Sequence, residues 1–265
     1  MDLQYLDSAD ILRIYDFLVE DFAKSHDPIA PAGVMDENLL ESAVSRQYVS
    51  SGSELKYRTS EEVAATLAYG LCNNHCFFNG NKRAALVATL VLLDKNKLSL
   101  WGVGKDDLYD FILSTARHAI VAWVYKDGGR PRKGLEGSDA EVFAMADWFA
   151  RHSAPVKRGE REITFRELKR ILNRFGYTLA NPLNNSIKVL RLVDGDGPTQ
   201  TKHIDTIGYP RETGIVPVHT LKRVRERCLL REEDGVDTES FYDQYAVIDA
   251  FVNKYRMTLR RLAKL

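Results

Sequence analysis

Apolar residues at three- and four-residue intervals mark out a series of helices in the first half of the chain. Ile11, Ile14, Phe17, Leu18 and Phe22 follow Ser8, a residue type suited to an N-cap, and predict a first helix. A Pro/Gly stretch at 28–33 ends it. Asp36 is placed to open a short helix with Leu39, Leu40 and Ala43 on its apolar side. Thr59 or Ser60 starts the next, with Glu61 and Glu62 in its first turn, where the helix dipole favours them. It runs through Val63, Leu67 and Leu71 toward His75. A long apolar helix is expected at 81–95, with two more at 105–118 and 138–151. The Ser/Gly-rich piece 49–57 predicts a loop or short hairpin, and the basic, Gly-rich piece 126–137 a mobile surface loop.

The pattern changes after about Ser153. Residues 163–175 read as a basic amphipathic helix, and strand-like runs follow at 186–192, 203–209 and 214–218. A turn signal at 194–197 separates the first two runs. Helical spacing returns at 221–230 and 241–262. The expected architecture is therefore an all-helical domain, 1–153, followed by a smaller α+β domain, 154–265.

Charge supports that division. The formal net charge is zero, but residues 1–154 hold 16 Lys+Arg against 22 Asp+Glu, and the remainder holds 21 against 15. A basic second half is compatible with RNA or an acidic protein face. No apolar run approaches the roughly 20 residues of a membrane span. The start, Met1-Asp2-Leu3-Gln4, has neither the basic nor the apolar segment of a secretory signal. Three cysteines, Cys72, Cys76 and Cys228, make no disulfide framework and no paired zinc motif. The expectation is a cytoplasmic protein with reduced thiols and no membrane partner.

Candidate chemistry concentrates at 74–83. One helix ends near His75 and another begins after Gly80, which permits a positive φ or a close ligand approach. The first turn of a helix offers unpaired N–H groups to an anion. Lys82 and Arg83 fall in that turn, where the dipole disfavours cations, so a bound anion is expected to face them. Histidine, which titrates near neutrality, is the natural general base beside such a site, and His75 is placed for it. His118 and His152 belong to no motif, and Trp101, Trp123 and Trp148 have packing roles that need no ligand.

His75, Phe77, Asn79, Gly80, Asn81, Lys82 and Arg83 reproduce nearly all of the pattern His-x-Phe-x-(Asp/Glu/Asn)-(Gly/Ala)-Asn-(Gly/Lys)-Arg. The chain thereby resembles the Fic/Doc family, and residues 33–43 resemble a segment upstream of that signature. The resemblance covers about residues 5–152. It implies a protein-modifying transferase using ATP and Mg²⁺, with His75, Lys82 and Arg83 catalytic and Gly80, Asn81, Lys82 and Arg83 holding phosphate. It implies Asn79 as the metal ligand, and a target-aligning flap at Ser51, Gly52 and Ser53. Phe77 is expected to pack beneath the turn.

Two positions resemble the Doc (death-on-curing) branch. AMP-transferring members usually carry Gly at the Lys82 position and a second Arg three residues after Arg83, where this chain has Leu86. The Doc resemblance implies a toxin that moves the γ-phosphoryl of ATP to a protein hydroxyl, of elongation factor Tu in the family. It also implies a separate antitoxin, since no convincing inhibitory-helix motif stands in the chain. The alternatives are AMP or other nucleotidyl transfer to a protein hydroxyl, and a non-catalytic nucleotide- or partner-binding module, for which Asn79 in place of an acid is the hint. The helix–strands–helix order of the second half resembles the small HicA-type toxins, a double-stranded-RNA-binding-like fold. The histidine expected there is replaced near Asn184-Asn185-Ser186. Lys222, Arg223, Arg225 and Arg227 are the candidates for RNA contact.

Overall fold

Side-chain caps fix where most helices start. The computed structural model of the chain describes residues 3–130, 132–155, 163–193, 200–236, 241–242 and 244–263. Asp7, one residue before the expected cap, opens α1 (Ser8–Phe22) in a reciprocal capping box with Asp10. Asp36 caps α2 (Glu37–Ser45) and Thr59 caps α3 (Ser60–Asn73), both as the sequence predicts. Next come α4 (Asn81–Lys95), α5 (Lys105–Ala116), α6 (Ile120–Lys126) and α7 (Gly137–His152). Helix α6, absent from the sequence expectation, has no side-chain cap and spans under two turns, which gives periodicity little to register.

Helix α4 is the axis of this unit. Every residue from Arg83 to Leu93 is buried, so it is apolar around its whole circumference. Helices α1, α3 and α5 pack on it, and α7 packs on α3. Gln47, fully buried, ties the chain's start to α2: its amide donates to Leu6 O and Val44 O, and its Oε1 accepts from Leu6 N. Trp123 of α6 and Trp148 of α7 join Phe111 and Phe149 in an aromatic cluster, the packing roles expected for these tryptophans. Trp101 is 78% exposed. In the stretch expected as a mobile loop, Arg132 donates to buried Glu62 at 2.7 Å and lies over Phe143.

The chain divides into two compact units, residues 1–157 with 255–265, and residues 158–254. The expected boundary after Ser153 thus shifts, because β4 (Ser153–Pro155) pairs antiparallel with β3 (Leu98–Leu100) in the first unit. A second difference is larger. The last helix, which we number α11 (Arg256–Leu262), groups with the first unit and packs on α5 and α4. Arg256 pairs with Asp21 at 2.7 Å, and Thr258 Oγ1 donates to Lys105 O at 3.0 Å. Leu259 and Leu262 are buried there.

The second unit has the expected order of helix, three strands and helix; two of the strands fall where expected and the third does not. Helix α8 (Phe165–Arg174), capped by Thr164, precedes the antiparallel sheet β5 (Tyr177–Leu183), β6 (Ser186–Val193), β7 (Gln200–Gly208). Helix α9 (Val218–Arg227) follows. The core joins Phe165, Leu168 and Ile171 to Leu179, Val189 and Ile207 of the sheet and Leu221 and Val224 of α9. Strand β5 was not expected, since Asn181 and Pro182 interrupt it. Pro supplies no ladder donor, and Asn181 takes φ 55° within the register irregularity between Ala180 and Leu183. The segment 214–218, expected as a strand, is extended but docks on the chain before α8: Val216 N donates to Ile163 O and Phe165 N to Gly214 O. Helix α10 (Gln244–Lys254) brings the buried carboxylate of Asp249 to Thr164 and Arg166. The turn expected at 194–197 lies outside the described residues.

Candidate anion site at the start of helix α4

The turn between α3 and α4 is shaped by its own side chains. Asn74 caps α3, and His75 then takes a left-handed φ of 52°. Asn81 staples the turn: its Oδ1 accepts from Phe77 N at 2.9 Å and its Nδ2 donates to Phe77 O at 2.8 Å. Phe77 is buried beneath, stacked on Tyr15 with ring centroids 3.8 Å apart. This matches its expected packing role. The Tyr15 hydroxyl donates to Asn79 O at 3.0 Å and accepts from Gly33 N at 3.1 Å. Residues 33–35 complete the frame through Phe78 N to Gly33 O and Met35 N to Cys76 O. Tyr15 lies in a different helix, far away in sequence, and only the fold reveals its part.

Gly80 initiates α4 with φ 85° and no side-chain cap. A Cβ there would come within 3.1 Å of Ile29 Cδ1. Left-handed strain and this contact act together, so Gly80→Ala should cost about 1–3 kcal/mol. A urea midpoint that stays unchanged in that variant would contradict the account of the turn.

His75, Phe78, Asn79, Lys82 and Arg83 line a cavity of about 240 Å³ at this helix start. His75 is exposed, and its ring has no hydrogen-bond partner among the described residues. Arg83 is 1% exposed. Its Nη1 donates to Asp27 O at 2.9 Å and its guanidinium lies 5.3 Å from the Phe22 ring centre. Nε and Nη2 are buried with no partner among the described residues. Burial pulls the Arg83 pKa below its ordinary value, against the opposing pull of Asp27 and Tyr15. Cys72 also lines the cavity, but burial pushes its thiol up to about 12, with Lys82 acting the other way; it stays protonated at neutral pH. Two further lining residues, Leu262 and Ala263 from the end of α11, carry no local signal of this role.

The remaining expected roles are distributed less simply. Asn79 donates to Ala30 O at 2.9 Å, and its Oδ1 accepts from Gly80 N at 2.6 Å. No carboxylate lines the cavity among the described residues, and they contain no cluster of three His, Cys, Asp or Glu. Among the described residues lining the cavity, Mg²⁺ would find the amide oxygen of Asn79 and no carboxylate. The Asn81 side chain is committed to the turn. Leu86 is 2% exposed within the packed body of α4. Residues 50–55 do form a hairpin, β1 (Ser50–Ser51) with β2 (Glu54–Leu55), whose connection contains Gly52 at φ 63°. In the second unit the four α9 cations do not share one task. Arg225 is 6% exposed, donates to Leu230 O and Val236 O, and lies over Phe241; Arg223 pairs with Asp205 at 3.0 Å.

The first unit is thus a helical domain that places a histidine and two basic residues around the N-terminus of a buried helix. Residues 5–93 match the Fic/DOC family. The match lies within the first unit, and members of that family are generally protein-modifying transferases. Neither the curated proteins nor the solved structures contain a significant match to the chain. No helix among the described residues is long and apolar enough to cross a membrane.

Proposed function

We propose that the His75–Arg83 site transfers the γ-phosphoryl group of ATP to a hydroxyl side chain of a protein. Arg83 carries this reading. Nε and Nη2 are buried with no partner among the described residues, in a side chain that lines the cavity, and a buried guanidinium left so is costly unless an anion completes it. The lack of a second arginine three residues after Arg83 favours phosphoryl over nucleotidyl transfer. Leu86 stands where AMP-transferring members carry an arginine, and its side chain is packed in the core.

In this reading His75 accepts the proton of the target hydroxyl as its oxygen attacks the γ-phosphorus. The bond from that phosphorus to the bridging oxygen breaks, and ADP leaves. Arg83 and Lys82 stabilise the charge on the equatorial oxygens, helped by the dipole of α4. Mg²⁺ enters with ATP as part of the substrate. The β1–β2 hairpin aligns the target segment, with elongation factor Tu the first candidate target. A separate antitoxin and a cytoplasmic location fit the same reading. The by-product decides it: phosphoryl transfer releases ADP in step with modified protein, and pyrophosphate release would overturn the reading in favour of nucleotidyl transfer.

A further inference from the structure

A cavity of about 500 Å³ lies wholly within the second unit, in the size range of small-ligand sites. Helix α9 opens onto it. Pro217 at the N-cap contributes no side-chain hydrogen bond, so the first N–H groups of α9 lack the usual cap, and no acidic residue occupies the first turn. Thr220, in that turn, lines the cavity and is 7% exposed. Its hydroxyl has no hydrogen-bond partner among the described residues and stays accessible although the residue is more than nine-tenths buried, which leaves it free for a ligand. His219 and Arg223 line the same cavity from positions four apart on α9, and such positions share a helix face. The His219 ring also has no partner among the described residues. Arg223 is steadied by Asp205 at 3.0 Å.

The opposite character is supplied by Tyr209. Its ring meets Phe165 edge-on, centroids 5.2 Å apart at 79°, and both line the cavity. A polar helix start facing an aromatic wall suits a ligand with an anionic group on a planar body. We propose that this cavity binds the phosphate of a nucleotide, free or at the end of an RNA strand. Thr220 and the start of α9 receive the phosphate, His219 and Arg223 flank it, and Tyr209 meets the base. This assignment is independent of the chemistry proposed for the first unit.

The test uses the full-length protein with ¹³C-labelled histidine at constant pH. The chain has six histidines, and His219→Gln assigns the His219 ring signal. AMP, inorganic phosphate and a short 5′-phosphorylated single-stranded RNA are titrated separately. The His219 signal should move saturably with AMP or the RNA, and less tightly with phosphate alone. Tighter binding of the RNA would identify a strand end as the source, and equal or tighter binding of AMP a free nucleotide. Thr220→Val should weaken the effect about tenfold, as expected for a lost hydrogen bond to a charged group. Thr220→Ser should restore it, which separates loss of the hydroxyl from loss of the fold. The His75 signal reports the first unit's site in the same spectra, so failure of one site is distinguishable from failure of the other. A His219 signal unmoved by all three probes, or an affinity unchanged in a folded Thr220→Val protein, would overturn the proposal.

Discussion

Replacing His75 by Asn should lower protein modification by about 10²–10⁴-fold, the usual contribution of a positioned general base. Asn is the better substitute because His75 sits at φ 52°, a region that Asn tolerates and Ala does not. The fold should not change. His75 is exposed and its ring makes no hydrogen bond among the described residues, so the substitution removes no buried contact. Affinity for ATP should also hold, since the proposed anion seat is formed by Arg83 and the start of α4. Kinetic comparison of the two proteins at matched unfolding midpoints checks this. Full activity in the Asn variant would remove His75 from the chemistry.

Arg83→Met should abolish modification and leave the protein as stable as before, or more so. The two effects have one cause. Removing a cation that meets the transferring group typically costs about 10²–10³-fold in rate. Among the described residues, however, Nε and Nη2 are buried without partners, each such group carrying a penalty of about 1–3 kcal/mol. Met fills similar space against Phe22 without that penalty, while the lost bond to Asp27 O opposes part of the gain. Thermal unfolding should therefore give a Tm equal to or above that of the original chain. A large fall in Tm would mean that Arg83 is held for structure, and the anion seat would lose its main support.

The candidate site was legible in sequence because its parts are local. His75, Gly80, Lys82 and Arg83 lie within nine residues, and the Gly80 turn and the helix after it announce themselves through residue type. The helix starts at Asp36 and Thr59 were readable for the same reason. Distant partners were not. Tyr15, which braces the turn through Asn79 and Gly33, looks like any helical aromatic, and the return of α11 to the first unit depends on tertiary packing. Asn79 shows a subtler limit. Its amide is expected to face a metal, and it also holds the turn through hydrogen bonds to Ala30 O and Gly80 N, which residue type does not announce.

In the second unit the hairpin signal was present and misread. Asn184 and Asn185 both take positive φ, the pair of left-handed residues that a two-residue hairpin turn requires. Pro182 just before them disguised the strand they terminate. The basic α9 motif shows why a charge run is poor evidence alone. Arg225 points into the unit and satisfies backbone carbonyls, which charge counting cannot reveal.

The most direct test incubates the full-length protein with bacterial lysate, Mg²⁺, and ATP labelled on either the α- or the γ-phosphate, beside the His75→Asn protein. The account predicts label in a protein band from γ-labelled ATP alone, lost in the variant. Label entering from α-labelled ATP would contradict it, and would show that a buried Leu86 does not prevent nucleotidyl transfer.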